Sequence, residues 1–489
     1  MDRYGTKWLF IIGMAIFGIG VGLISLTQSA GYLLLVVIIS YLILLYGVGY
    51  EIATSGKRVT QAKHEEQTPQ TPQTPQARPS TYGWVILAVT VAMAFMSTGS
   101  RATLGVFLKS IVSDLNWDRG MISMAVAVNI WLSGFLQPFA GYAMDRYGPK
   151  WIFIACTATF GIGVALIGLS QSFIYFVFIY GVVLAVATAG VSPSMTNAML
   201  AKWFPSNRRG LAIGINNAGS AIGQLTLVGV TTLMLQVSDW RSSHLFLGLA
   251  IAVITVPLTF LIPRQSQRAA NASAAPGQTA PPRAPLATDR WAEALNSSPL
   301  WLINAGYFVC GMTVSLFTVH LIPFATDRGY SPAAAASAFG LLAVCSAIGS
   351  LLSGAASDRL GRKNIMALAY LVRGIGFMIL LGWRHEFALY VFAVLGGLSW
   401  LATPITVMAL TSEVYGMRNL ATLGGVSLLV HQVGGGASVW LAGELHDLTG
   451  SYDISFTLAT VALFGATLAS YLIDERRYSV RYATPVASA

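Results

Sequence analysis

Gly141-Tyr-Ala-Met-Asp145-Arg146-Tyr147-Gly148-Pro149-Lys150 lies between two long apolar runs. A near copy, Gly354-Ala-Ala-Ser-Asp358-Arg359-Leu360-Gly361-Arg362-Lys363, recurs in the second half of the chain. So short a link between two membrane helices must turn sharply, and Gly148 and Gly361 permit the positive φ that such a turn demands. Arg146, Lys150, Arg359, Arg362 and Lys363 hold the link on the cytoplasmic side through the positive-inside bias. Each Asp ends one helix and can sit at the positive N-terminus of a neighbour. The plainer reading is that the basic residues only set topology. The sharper one adds a gating role for Asp145.

Composition supports a membrane setting. The 489 residues are 55% hydrophobic and only 10% charged, against about 25% charged in a soluble domain. Apolar runs of about 20 residues recur throughout, the length needed to cross a bilayer as a helix. The formal charge is +10. In such a chain that excess reports cytoplasmic loops rather than nucleic-acid binding. Cys156, Cys310 and Cys345 fall far apart inside apolar runs, so they form neither a disulfide framework nor a metal site. No metal or other cofactor is expected. There is no GxxxxGK[ST] loop and no HExxH, so ATP hydrolysis and zinc hydrolysis are not expected, nor is any enzyme activity.

The chain begins with an internal copy. Residues 1–29 match residues 144–172 without gaps at 20 positions, more than shared helical propensity produces. Residues 1–54 are read as an extra transmembrane hairpin, a partial duplication of 144–197 and not a cleavable signal. It should be dispensable, because it lacks the other four helices of a half. Residues 55–81, with the repeat Gln67-Thr-Pro-Gln-Thr-Pro-Gln-Thr-Pro-Gln76, read as an extended linker. Residues 82–262 then carry six apolar runs and residues 299–476 carry six more. The Pro/Ala-rich stretch 263–298 joins them, and 477–489 form a tail. On this alternation sixteen core Lys and Arg fall in inner segments, including Lys202, Arg208, Arg209, Arg418 and Arg481. Only Lys109, Arg119, Arg241, Arg328 and Arg384 fall in outer loops. Both termini should therefore face the cytoplasm of an inner-membrane protein.

The paired loops resemble the signature loop of the major facilitator superfamily, which lies between helices 2 and 3 and again between 8 and 9. The resemblance covers about residues 82–476. It implies an all-α polytopic fold of two six-helix halves, here with the extra N-terminal hairpin, and alternating access about a central site. It also implies gating by Gly141, Asp145, Arg146, Gly148, Lys150, Gly354, Asp358, Arg359, Gly361 and Arg362. In that family the equivalent of Asp145 closes the cytoplasmic side against a helix end of the other half. Tyr82-Gly-Trp84, Asn116-Trp117, His320-Leu-Ile-Pro323 and Asp447-Leu-Thr-Gly-Ser-Tyr452 resemble the monocarboxylate porter and oxalate/formate antiporter groups. Leu341–Gly354 lacks the porters' Asp-Arg pair. Only His431 answers the antiporters' base in helix 11. Gly219-Ser-Ala-Ile-Gly223 lacks the proline of drug antiporters.

The charges within the apolar runs narrow the chemistry. Acidic residues fall in loops or near helix ends, with Glu413 and Glu444 nearest to membrane depth. Arg101, in Ser97-Thr-Gly-Ser-Arg101-Ala-Thr-Leu-Gly105, lies well inside the first run. An ionisable residue at that depth is a functional hypothesis by default, and its natural counter-charge is a bound anion. The alternatives are that it snorkels outward, bonds the carbonyls of a broken helix, or pairs with Glu444. Arg373 lies in a run that the family resemblance makes peripheral, so besides substrate contact it can pair with a helix end or reach a lipid headgroup. Asn129, Gln137, Asn216, Gln224, Asn304, Tyr307 and His431 are polar positions for substrate contact, each of which may equally satisfy a neighbouring helix. His431 and His320 can carry a proton near neutral pH. The expected partners are a small organic anion, protons and lipid, with no nucleic acid, for a monomer. The expected function is secondary transport of mono- or dicarboxylates by symport or exchange. The alternatives are efflux of amphipathic drugs and a transporter-like receptor.

Overall fold

The computed structural model describes residues 81–117, 119–263 and 284–482. The N-terminal hairpin, nearly all of the first linker, most of the central linker and the end of the tail lie outside the described residues. Within them the chain is helical, with no strand.

Twelve long helices follow one another. The first half comprises α1 Thr81–Leu115, α2 Arg119–Tyr147, α3 Pro149–Ile167, α4 Phe173–Trp203, α5 Ser206–Val237 and α6 Trp240–Phe260. The second comprises α7 Ser298–Asp327, α8 Pro332–Leu360, α9 Arg362–Gly382, α10 Phe387–Tyr415, α11 Leu420–Thr449 and α12 Asp453–Tyr471. All but α11 are long and apolar enough to cross a membrane. Two separate apolar cores form, one chiefly within each half.

Local chemistry sets the turns and breaks. Gly148 and Gly361 adopt φ of +89° and +98° at the α2–α3 and α8–α9 corners, a region costly for side chains with a Cβ. Pro193 drives the preceding Ser192 to an extended conformation, and α4 breaks there. Further up, α4 contains a π-helical stretch at Val177–Val183. Helix α10 breaks at Leu401. Pro404 has no N–H to give the Trp400 carbonyl four residues back, so that carbonyl needs another donor.

The halves meet along two seams, α2 against α11 and α5 against α8. Small residues make the approach possible. A methyl group on Gly141 would overlap the Ala421 carbonyl, and one on Gly210 or Gly214 would overlap the backbone of Gly354 or Ser350. These contacts gather toward the end that bears the two Asp-Arg loops, here called the loop end. Toward the far end Gly105, Gly229, Gly340 and Gly443 meet nothing within 4 Å. The halves are closed together at the loop end, and the glycine contacts across the α2–α11 seam continue as far as Gly436 against Trp131 but not to Gly443.

One helix was longer than its apolarity suggests. Helix α1 continues to Leu115, so Lys109, expected in an outer loop, is an exposed helical residue.

Replacing Gly141 with Leu should prevent closure at the loop end while each half stays folded. Cysteine labelling from the loop side should rise several-fold at Ala421. Unchanged labelling would mean the seam tolerates a side chain that the structure has no room for.

Candidate functional site

The loop end is held by carboxylates that reach from each half into the other. Helix α11 begins without a side-chain cap of its own: Asn419 precedes it and instead donates to the Thr288 carbonyl. Asp145 supplies the missing acceptor across the interface. Its Oδ2 accepts from the Thr422 backbone N–H at 2.8 Å and from the Thr422 hydroxyl at 2.9 Å. Its Oδ1 accepts from Lys202 Nζ at 2.8 Å. An anion at the first turn also meets the positive end of the helix dipole.

The second loop repeats the device with more parts. Asp358 accepts from the backbone N–H groups of Gly210 and Leu211, both at 2.8 Å. Arg362 is fully buried and binds Asp358 Oδ1 at 2.6 Å, Glu413 Oε1 at 3.0 Å and the Ser206 carbonyl at 2.5 Å. Glu413 also accepts from the hydroxyls of Ser206 and Ser479. Arg209 reaches Ser412 at 2.8 Å. A buried cation with two carboxylates and a carbonyl is compensated; removing one partner strands the rest. Arg362 is therefore not a solvated topology marker. Arg146 and Arg359 are exposed, and Lys150 caps the Phe260 carbonyl at 2.8 Å. Sequence reasoning gave no role to Glu413, whose only signal was an acid at the edge of an apolar run.

The polar residues expected to face substrate separate into two groups. Asn129 is buried and donates to the Tyr180 carbonyl at 2.7 Å, inside the π-helical stretch of α4. Gln137 accepts from Ser192 at 2.9 Å, where α4 breaks. Asn216 donates to Thr196 and Asn197, tying α5 to α4. Asn304 is buried with neither amide atom bonded. Tyr307 is buried with its ring 4.7 Å from His431. His431 is half-buried, against Gln432 Oε1 at 3.3 Å. His320 meets the Val439 carbonyl at 3.2 Å and lies against Tyr452. Gln224 is exposed. Arg373 is fully buried and serves a helix end: it donates to the Ser399 and Trp400 carbonyls at 2.7 and 3.0 Å, where α10 breaks.

Arg101 differs from every other arginine at membrane depth. Its side chain is exposed, and among the described residues it makes no hydrogen bond or ion pair, with Glu444 or with a carbonyl. The exposed stripe of α1 runs through Arg101, Gly105 and Lys109. From Gly83 to Leu115 the helix shows no exposed large apolar side chain, unlike the lipid-facing surfaces of α2, α6 or α8. Its apolar window is also the most buried of the eleven spans. The stripe therefore faces the open space between the halves, not lipid. Behind it, Arg101 borders a cavity of about 20 Å³ shared with Asn129, Tyr180, Thr188 and His244.

The family model of the Major Facilitator Superfamily matches residues 90–437, with a second match over 303–485. The chain belongs to this superfamily. Known relatives cover most of it. It is similar to the uncharacterized MFS-type transporter YcxA of Bacillus subtilis, 26% identical over 76% of this chain and 90% of the relative. It is similar to the probable sulfoacetate transporter SauU of Cupriavidus necator, 24% identical over 82% of this chain and 98% of the relative. Monocarboxylate transporter 12 of Rattus norvegicus is 27% identical over 55% of this chain and 60% of its own length. Among solved structures, the proton:xylose symporter XylE superposes with a TM-score of 0.66 at 13% identity, over 83% of this chain and 99% of that one. That likeness shows the fold: a major facilitator bundle.

Asp145→Asn keeps an acceptor for Thr422 but removes the charge shared with Lys202 and the α11 dipole. The closed-to-open ratio at the loop end should fall roughly fivefold, in line with about 1 kcal/mol for a cap and its charge. Distance measurements by paired spin labels across α2 and α11 would show it. Identical distance distributions in the variant and the parent would remove Asp145 from the gate.

Proposed function

We propose that this protein is a secondary transporter of small organic anions, carboxylates or closely related acids, that works by alternating access of its two halves. The observation that carries the reading is Arg101: a permanently charged fork, exposed in the space between the halves, with no hydrogen-bond or ion-pair partner among the described residues. Guanidinium offers paired donors matched to a planar carboxylate. Its cost at membrane depth falls when an anion docks. The hydroxyls of nearby Ser97, Thr98, Ser100 and Thr103 lie on the same helix, although Thr103 is spent on the Ser100 carbonyl. Relatives named for sulfoacetate and monocarboxylates agree with an anionic cargo.

From the second half, His431 and Tyr307 provide the facing polar pair, and Gln224 joins them from α5. His431 and His320 are the titratable groups of that half for proton symport; exchange of one anion for another needs neither. Asp145 and Asp358 act as the gate at the loop end, which the charge asymmetry assigns to the cytoplasm of an inner membrane. One chain holds both halves, so a monomer suffices. Efflux of cationic amphipaths would call for an unpaired acid facing the cavity; Glu413 and Asp358 are bound up in the gate, and Glu444, exposed and without a hydrogen bond or ion pair among the described residues, stands close to the far end of α11.

Arg101→Lys keeps the charge and loses the fork; Arg101→Gln loses both. With purified protein in liposomes, uptake of lactate, formate, oxalate or sulfoacetate should fall at least tenfold in Arg101→Lys, and further in Arg101→Gln, at unchanged expression. A paired hydrogen bond to a charged group is worth about 1.5–3 kcal/mol, which sets that scale. Wild-type uptake in both variants would end the proposal.

A further inference from the structure

His244 is buried one helical turn into α6 and takes no part in either gate or seam. Its Nδ1 lies 2.8 Å from the Trp240 carbonyl. A carbonyl only accepts, so Nδ1 carries a hydrogen in every charge state. In the neutral ring Nε2 is then the bare lone pair. Nε2 makes no hydrogen bond among the described residues. The ring is held from one side by Phe107, centroids 4.2 Å apart, and from another by the edge of Trp240. Trp240 is fixed in turn by its indole N–H on Asp114 Oδ2 at 3.1 Å.

The imidazole borders the same cavity as Arg101, and the Thr188 hydroxyl beside it is buried without a partner. At about 20 Å³ the cavity has room for a water, given that about 10–15 Å³ suffices. Other charges around the ring are accounted for. From α1 come Arg101 and Asp114, and Asp114 is paired with Arg241 at 2.9 Å. From α4 comes the Tyr180 phenol; α3 contributes only Phe160, Val164 and Ile167 to the cavity. On α6 itself Arg241 is bound to Asp114 and to the Gly168 and Ser170 carbonyls. Among the described residues, Arg101 is thus the one charge lining the cavity with His244 that has no ion-pair partner.

We propose that His244 is a proton-carrying residue of the first half, and that an anion on Arg101 is what allows its Nε2 to take up the proton. This rests on Arg101 being the anion site. Without an anion, a second cation in that cavity is opposed by the first. With an anion docked, Arg101 is neutralised, and a proton passes through the cavity water to Nε2. The loaded first half then holds one anion and one proton. By linkage the proton strengthens anion binding by the same factor. Directionless carboxylate binding thereby becomes proton-coupled binding. His431 and His320 lie in the other half, so this route is separate from theirs.

Two measurements decide it. The first needs no substrate: histidine ¹⁵N NMR in nanodiscs, with the His244 signal assigned by its loss in His244→Asn. In Arg101→Gln, or Arg101→Met if that folds better, the His244 titration midpoint should move up by about one pH unit, tenfold in proton affinity. An unmoved midpoint overturns the coupling. The second is calorimetric binding of sulfoacetate, lactate, formate and oxalate in buffers of different ionisation enthalpy. At a pH midway between the anion-free and anion-bound midpoints, a tenfold shift lets the parent take up about half a proton per anion. His244→Asn, whose amide still reaches the Trp240 carbonyl, should bind the anion with no uptake. Undiminished uptake in His244→Asn overturns the assignment. If the parent binds none of the four anions, the carboxylate reading fails, and the NMR midpoint still decides His244.

Discussion

An ionised side chain within a membrane bundle persists only where something answers its charge, and the architecture follows from how each such charge is answered. Arg362 is answered by Asp358, Glu413 and a carbonyl of the opposite half. Arg373 is answered by the two carbonyls that the α10 break leaves over. Asp145 is answered by Lys202 and by the first turn of α11. Arg101 alone among these is answered by nothing in the described residues, and it stands on the face that opens between the halves. If Arg101 is the anion site, its counter-charge comes from outside the protein, and binding cargo offsets part of the electrostatic cost of that arginine.

The same logic would let the loop end both hold and release. Its bonds are charge-assisted but consist of single side chains set on helix ends, with backbones brought close by glycine at Gly141, Gly210 and Gly354. Such contacts are each worth on the order of 1–3 kcal/mol, so a few of them give a closed state that bound cargo can still outweigh. The interfaces are smooth, and the two cores lie chiefly within the halves rather than across them. Rocking one half against the other exchanges seam contacts without opening either core.

Much of this was legible in the sequence because it depends on local rules. The Asp-Arg loops, their positive-φ glycines and the twelve apolar runs are short-range signals. What escaped depends on tertiary partners. Asn129, Gln137 and Asn216 look alike as polar residues in apolar runs. Only the fold shows that the first two serve irregular turns of α4 and that the third binds α5 to α4. Arg362 reads as a solvated loop base because nothing local reveals that Glu413, fifty-one residues on, folds against it. Lys109 read as loop because hydropathy fades before α1 ends. His244 gave no sign, since its neighbours Arg101, Phe107 and Tyr180 come from distant segments. Arg101 was legible because depth in an apolar run and the absence of a nearby acid are both properties of sequence.

Docking of a small organic anion on Arg101 in the space between the halves is tested most directly by an experimental structure of the protein held with sulfoacetate or lactate. Density for the acid group is expected within about 3 Å of the Arg101 guanidinium, the range of a charge-assisted hydrogen bond. An anion bound instead at Arg373, or in the pocket of about 350 Å³ lined by Arg328, Arg384 and Asp453, with Arg101 still unpartnered, would contradict it.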